Sequence, residues 1–160
     1  MEEIKIEAKI KVARFDELSD EDRELVEQAK DATRNSYAKY SHFRVGAAIR
    51  LGNGIIQIGA NQENAAFPSG LCAERSAVFA AQSMFPEQPV KALAIAARNE
   101  EGFLQNPISP CGACRQVILE MEDRYKSPVR LLLYGEKHTF CLESIRDILP
   151  LSFVDECMHS

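Results

Sequence analysis

The sequence predicts an α/β protein, a three-layer α/β/α sandwich around a mixed, mostly parallel central sheet. From residue 43 onward, apolar segments of strand length alternate with longer segments of helical periodicity, in the order strand, strand, helix, strand, helix, strand. Successive crossovers through helices favour parallel neighbouring strands with helices packed over the sheet. Two cysteine motifs stand where predicted helices begin, and α/β folds tend to place ligands at such positions.

The N-terminal part of the chain is predicted to form an arm and a helix. From Ile4 to Val12, aliphatic residues alternate with Glu and Lys, which is the pattern of a half-exposed strand or arm. Ser19 is placed to cap a helix whose first turn, at 20–22, is acidic and suits the helix dipole. Four apolar residues then recur at the spacing of one helix face: Leu25, Val26, Ala29 and Ala32.

A β-hairpin is predicted next, with strands at 43–51 and 55–60. They flank Gly52-Asn53-Gly54, and Asn and Gly tolerate the positive φ that hairpin turns require. The remaining predicted elements are a loop at 61–70, helices at 72–84 and 111–121, strands at 92–97 and 129–134, and a last helix near 142–149 that Pro150 stops. With no repeat or linker-like stretch, residues 1–160 are expected to form a single domain.

Composition narrows the class of protein. No stretch reaches the roughly 20 apolar residues of a membrane helix, and the N-terminus lacks the apolar run of a signal peptide. These observations predict a cytoplasmic protein without a membrane partner. The net charge is −5 and no dense Lys/Arg cluster is present, so we expect no nucleic-acid partner. An odd number of cysteines, five, argues against a disulfide framework.

The two cysteine motifs, L-C-A-E-R-S-A at 71–77 and P-C-G-A-C-R-Q at 110–116, predict a metal site. Cys72, Cys111 and Cys114 supply three thiolates, so a tetrahedral Zn²⁺, one per chain, would keep one open position, as in catalytic sites. Water in such a position has its pKa lowered to about 7. Glu74 lies two residues after a ligand, close enough to move protons without binding the ion.

C-A-E followed downstream by P-C-x-x-C resembles the signature of zinc deaminases. More narrowly, the chain resembles the homotetrameric cytidine deaminases, through Y-S-H-F-R-V-G-A-A at 40–48, N-Q-E-N-A-A at 61–66 and both cysteine motifs. The resemblance implies hydrolytic deamination of cytidine and deoxycytidine to uridine and deoxyuridine, in pyrimidine salvage. It also implies a homotetramer with composite active sites. Residues 1–16 form an N-terminal extension outside the resemblance.

The resemblance also implies residue roles. Glu74 would carry protons to ring N3 and to the leaving amine while activated water attacks C4. Proton transfer of this kind typically increases the rate by roughly 10²–10⁴-fold. Arg75 would lie against the thiolates and offset their negative charge. Four further residues would contact the substrate, with the pyrimidine stacked on the first and the ribose 3′-hydroxyl bound by the next two: Phe43, Asn61, Glu63 and Ala73. Phe153 would reach toward a neighbouring subunit's site.

Two departures from the family pattern fall at the rim of the expected pocket. Phe67 stands where many relatives have Tyr, so any hydrogen bond from that hydroxyl is absent. The segment L-P-L-S-F at 149–153 replaces the common L-P-G-A-F but keeps Phe153. Both changes leave the chemistry intact.

Four alternatives stay open on the sequence alone. The first is a structural zinc site with a fourth ligand from Cys141, Cys157 or a histidine. These residues are expected not to bind metal, and Glu74 would have no role in such a site. The second is a deaminase of another aminopyrimidine nucleoside, such as a blasticidin-type antibiotic. The third acts on nucleotides or polynucleotides. The fourth is a zinc-stabilised binding module without activity, in which Glu74→Ala would be harmless.

Overall fold

The structure, a computed structural model, describes residues 1–159. The helices are α1 (Asp20–Ala32), α2 (Ala73–Met84) and α3 (Gly112–Tyr125). The strands are β1 (Lys11–Ala13), β2 (Arg44–Leu51), β3 (Ile56–Ala60), β4 (Val90–Asn99), β5 (Gly102–Phe103), β6 (Arg130–Leu133) and β7 (Thr139–Leu142). Short 3-10 helices lie at Phe15–Glu17, Thr33–Asn35, Phe67–Ser69, Ile145–Ile148 and Asp155–Met158.

All the strands belong to one mixed sheet of order β1-β7-β6-β4-β2-β3, with β5 paired to the end of β4. The prediction that the sheet is mostly parallel is wrong. Within residues 1–159, β4 and β6 form the single parallel pair, and every other neighbouring pair is antiparallel. The crossover through α2 does make β3 and β4 run in the same direction. However, β2 lies between them and is antiparallel to both.

The predicted three-layer α/β/α sandwich is confirmed by the two faces of this sheet. Side chains alternate between the faces along each strand. One face packs on α2 and α3 through mainly larger aliphatic residues: Ala47, Ile49, Leu93, Ile95, Leu131 and Leu133. The other face packs on α1 through mainly small residues: Ala48, Ala92, Ala94, Ala96 and Leu132. Both clusters are buried, so the core is divided by the sheet into two layers.

The local signals at helix starts are confirmed. The Ser19 side chain accepts a hydrogen bond from the Asp22 amide at 3.2 Å and caps α1. Cys72 and Cys111 have extended backbones and are the N-cap residues of α2 and α3, so each helix begins one residue after its cysteine. Helix α3 runs four residues beyond its predicted end, to Tyr125.

The helix predicted near 142–149 is wrong. Thr139–Leu142 form strand β7, and only Ile145–Ile148 make a short 3-10 helix. Strand β7 pairs with β6 on one side and β1 on the other. Because an unpaired β6 would leave a row of backbone groups open at the sheet edge, strand pairing overrides the weak helical pattern here. Leu149 and Pro150 follow the 3-10 helix directly.

The period-2 pattern at the N-terminus forms a strand only at its end. Residues 11–13 pair with β7, whereas residues 1–10 make no strand and are exposed. Among residues 1–159, none of the helices has the length and apolar character needed to cross a membrane.

Candidate active site

Two helix N-termini bring three cysteines together. Cys72 caps α2, Cys111 caps α3, and Cys114 is fully buried in the first turn of α3. Their Sγ atoms all lie within 4.8 Å of one another, and those of Cys72 and Cys111 are 3.8 Å apart. All three are free thiols, since a disulfide would need an S–S distance of about 2.05 Å.

Close packing of α2 on β3 places Cys72. A Cβ added to Gly59 would lie 2.4 Å from the Ala77 amide nitrogen and 2.5 Å from the Ala73 carbonyl oxygen. Only glycine therefore lets the first turn of α2 lie this close to β3. The motif C-A-E is positioned by this contact, which no local pattern in the sequence reveals.

The donor set fits zinc. Ligands about 2.3 Å from a tetrahedral zinc lie about 3.8 Å from one another. The Sγ atoms of Cys72 and Cys111 have this spacing, and the third lies within 4.8 Å of both. Within residues 1–159, no fourth histidine, cysteine or carboxylate joins the cluster. Cys141 in β7 and Cys157 near the C-terminus lie outside it, so the alternative of a closed structural site has no fourth ligand from these residues.

Arg75 lies against the thiols. Its Nη2 donates to Cys72 Sγ at 3.5 Å, and hydrogen bonds to Cys72 and Cys114 raise the pKa of Arg75. Burial alone would raise the pKa of Cys111, but hydrogen bonds from Cys114 and Cys72 outweigh it and lower that pKa. Three thiolates around Zn²⁺ sum to one negative charge, so a fixed guanidinium offsets the excess.

Glu74 is a buried acid beside the thiols, with 5% of its surface exposed. Burial raises its pKa, while hydrogen bonding with Cys114 and the charge of Arg75 oppose the increase. A carboxyl group with a raised pKa can both accept and donate a proton near neutral pH.

Cys72, Cys111 and Glu74 open into one cavity of about 330 Å³, whereas the third thiol of the cluster is fully buried. Its walls contain Cys72, Ala73, Glu74 and Cys111 from the helix starts, and the rest of its lining is Ser41, Phe43, Val45, Asn61, Glu63, Ile108 and Ser109. A second cavity, of about 440 Å³, shares Ser41, Asn61, Glu63 and Cys72 and extends toward Phe67. The site thus combines a three-thiol cluster that can hold a metal with one ligand position open, and a buried carboxyl group. The cavity also has an apolar wall the size of an aromatic ring and polar side chains at one end.

Comparison with known proteins assigns this arrangement to a family. Residues 19–127 match the family described as the cytidine and deoxycytidylate deaminase zinc-binding region. The chain belongs to this deaminase family. Its cofactor is accordingly zinc, and Cys72, Cys111 and Cys114 are the cluster that can bind one ion.

Several members of the deaminase family are similar over most of their length. A cytidine deaminase of Halalkalibacterium halodurans is 42% identical over 84% of this chain and 96% of its own length. One from Sporosarcina psychrophila is 46% identical over 60% of this chain and 66% of its own. The crystal structure of cytidine deaminase from Burkholderia pseudomallei is 36% identical, with a TM-score of 0.69 over 81% of this chain and 97% of that chain.

The Asn61 amide in this deaminase site is engaged by the protein itself. Its oxygen accepts from the Val45 amide at 2.8 Å and from the Ser36 hydroxyl, and its Nδ2 donates to the Phe43 carbonyl at 2.9 Å. These three bonds tie the segment before β2 to the end of β3. Asn61 therefore holds the backbone of Phe43 in place, with one N–H left free of these bonds.

Glu63 is tied to the same segment. Its carboxylate accepts from the Tyr40 amide at 2.7 Å, from the Ser41 amide at 3.2 Å and from the Ser41 hydroxyl. The bond from the Ser41 hydroxyl contributes most to lowering the pKa of Glu63, followed by that from the Tyr40 amide. The N-x-E pair thus braces the turn that leads to Phe43, a role that sequence reasoning missed.

The structure brings eight of the nine predicted site residues and Arg75 to one place, and it leaves Phe153 apart. Phe153 is 59% exposed, and its carbonyl accepts from Gln116 Nε2 at 2.9 Å, away from its own chain's cavity. Sequence reasoning also missed four residues of the lining: Ser41, Val45, Ile108 and Ser109. Ser109 could have been found from its place next to P-C-x-x-C, whereas Ile108 reads as an ordinary core residue.

Proposed function

We propose that this chain hydrolyses the exocyclic amine of cytidine and deoxycytidine and releases ammonia and the uracil nucleoside. The observation that carries the proposal is the placement of buried Glu74 and Phe43 in one cavity with two of the three clustered thiols. The cytidine deaminase names of its relatives agree with this substrate class. Pyrimidine salvage is the metabolic role that we infer for this reaction.

Cys72, Cys111 and Cys114 hold the zinc in this proposal, and Arg75 offsets the charge of their thiolates. When bound, the zinc supplies a Lewis acid that lowers the pKa of water to about 7. Glu74 accepts a proton as water adds to C4 and donates it to ring N3. It then accepts the proton of the new C4 hydroxyl and passes it to the amine, so that the C4–N bond breaks, C4=O forms and ammonia departs. The raised pKa of Glu74 suits this alternation of base and acid.

The pyrimidine is oriented by the cavity wall. Phe43 offers its ring for stacking, while Val45 and Ile108 complete an apolar wall. Ala73 stands at the start of α2 between Cys72 and Glu74, where its backbone meets the substrate's reacting edge. Asn61 and Glu63 are polar residues of the lining, and in this proposal they bind the ribose. The Asn61 N–H that is not bonded to Phe43 supports this role.

From the family resemblance we also propose a homotetramer with composite sites. Phe153 is exposed and outside its own cavity, so its aromatic ring is free to reach the site of a neighbouring subunit. Zinc-binding thiols must also stay reduced, and the five free cysteines are suited to the cytoplasm.

The test is conversion of cytidine and deoxycytidine by purified protein, with zinc content measured. Glu74→Gln should retain about one zinc per chain. It should also reduce kcat by about 10²–10⁴-fold, because Gln cannot carry the proton. Glu87→Gln, an exposed Glu on the loop after α2, is the matched control and should equal the wild type.

Each contrary result has a distinct meaning. Protein that binds zinc but converts neither nucleoside would overturn the proposed substrate. Other aminopyrimidine nucleosides, including blasticidin-type compounds, would then be assayed. Full activity of Glu74→Gln would overturn the proton-transfer role. Folded protein that binds no zinc would overturn the proposal as a whole.

A further inference from the structure

The chemistry of the site leaves the N-terminal arm, residues 1–10, without a role. The arm precedes the family match at 19–127 and makes no strand in this chain. All its side chains are exposed, including Ile4 at 86% and Ile6 at 53%. Isoleucine so exposed, on a segment that continues directly into β1, points to a surface that is covered in an assembly.

The arm has two different faces when extended. Even positions from 4 to 10 are apolar, with Ile4, Ile6, Ala8 and Ile10. Odd positions from 3 to 9 carry alternating charges, negative, positive, negative, positive. Such a pattern is typical of a strand that pairs with another and buries one face, and its free backbone groups are a template for that pairing.

We propose that the arms of two copies of this chain pair as antiparallel strands about a two-fold axis that passes at Ile6. In this register residue i lies opposite residue 12 − i of the other chain. Glu3 then faces Lys9 of the partner subunit, and Lys5 faces the partner's Glu7. On the apolar face, Ile6 meets the partner's Ile6, and Ile4 meets the partner's Ala8. The contact is isologous, as two-fold symmetric contacts must be.

Charge selects this register over its neighbours. If the two-fold axis passes at Glu7 instead, Glu7 faces the partner's Glu7, and Lys5 faces Lys9 of the partner subunit. If the axis passes at Lys5, Lys5 faces the partner's Lys5, and Glu3 faces the partner's Glu7. Like charges directly opposite each other destabilise strand pairs, whereas opposite charges stabilise them. Among these three registers, all cross-strand charges are matched only in the one centred on Ile6.

A two-stranded ribbon of this length is marginal by itself. The arm pair therefore strengthens an association of the chains rather than creating one. Its apolar face also explains why three aliphatic side chains, Ile4, Ile6 and Ala8, alternate with charges in an exposed segment. The intrachain Lys5–Glu7 ion pair, with both side chains mostly exposed, is available for exchange with the partner's charges.

Cysteine crosslinking of the full-length protein tests the register. Ile6→Cys places two thiols directly opposite each other, at a spacing that permits a disulfide. Ile10→Cys is the matched control on the same face, where the two thiols would lie about 27 Å apart. After mild oxidation, Ile6→Cys should give mostly crosslinked dimer on non-reducing gels, and Ile10→Cys and the wild type should give only background. Equal crosslinking at both positions, or none at Ile6→Cys, would overturn the proposal.

Charge exchange tests the ion pairs independently. Lys5→Glu or Glu7→Lys alone converts an attractive pair and its symmetry mate into repulsive pairs, which should weaken association by about tenfold on dilution in sedimentation velocity. The double variant restores every match and should return to the wild-type value. Zinc content verifies that each variant is folded. A double variant as weak as the singles would place the arm on a different surface and refute the pairing.

Discussion

At the residue scale, Asn61 is a pocket side chain that serves the fold, and we propose that it also binds the substrate. A polar side chain in the N-x-E pattern is expected to contact the sugar, and the structure shows it also bonded to Val45, Ser36 and Phe43. A half-buried amide with three defined partners is costly to disturb because a partner left unmatched is partly shielded from water. Its substitution therefore tests positioning of the stacking ring as well as binding.

Asn61→Asp keeps the oxygen that accepts from Val45 and Ser36, but it sets a second oxygen against the Phe43 carbonyl. We expect a loss of about 1–3 kcal/mol in the free energy of unfolding, measured with urea. Since the Phe43 backbone loses its donor, KM for cytidine should rise more than kcat falls. Asn53→Asp is the control, because only the Asn53 oxygen makes a hydrogen bond, to the Ile55 amide. An Asn61→Asp protein with unchanged stability would contradict this account.

At the element scale, one buried carboxylate organises the end of the chain. Glu122 on α3 is 6% exposed and accepts from the Val129 amide at 3.0 Å and the Ile145 amide at 2.9 Å. The Ser144 hydroxyl donates to both of its oxygens. Glu122 thus joins the start of β6 to the start of the last-but-one 3-10 helix, at Ile145–Ile148. This long-range cap stabilises a short turn where sequence periodicity had predicted a helix near 142–149.

Glu122→Ala should cost about 2–4 kcal/mol in the free energy of unfolding, because two buried amides lose their acceptor. Glu122→Gln should recover most of this loss, since its single carbonyl oxygen can accept from both amides and its NH₂ can donate to Ser144. Chemical denaturation of the three proteins provides the comparison. If Gln were as damaging as Ala, the ionic charge rather than the acceptor geometry would be responsible.

At the scale of the whole molecule, zinc links the two helices that carry the site. Because α2 and α3 each supply a ligand from their N-cap, a bound ion stabilises the native packing but not the unfolded chain. Zinc at a hundred times its Kd contributes about 2.7 kcal/mol, so a chelator should lower Tm by about 5–10 °C in calorimetry. Added zinc should restore it.

Two serine variants make this prediction specific. Cys72→Ser should bind less zinc and respond little to the chelator, because one of three ligands is weakened. Cys157→Ser, at an exposed cysteine outside the cluster, should behave as the wild type. A chelator that leaves Tm unchanged in zinc-loaded wild type would argue against coupling of the metal to the fold.

The sequence by itself determined the elements and chemistry that depend on near neighbours. The cap at Ser19, the hairpin around Gly52-Asn53-Gly54 and the helix starts at Cys72 and Cys111 follow from local geometry, and the structure confirms them. The zinc-binding thiols could be predicted for the same reason, because closely spaced cysteines and an acid two residues after a ligand are typical of a catalytic zinc site.

Only the tertiary structure decided features that depend on distant partners. The position of β2 between β3 and β4, the strand β7 in place of a helix, and the carboxylate cap by Glu122 arise from hydrogen bonds between segments far apart in the chain. The bracing roles of Asn61 and Glu63 are likewise set by contacts 16 to 25 residues away. Local patterns report what a segment can form, whereas long-range pairing selects which option satisfies its buried polar groups.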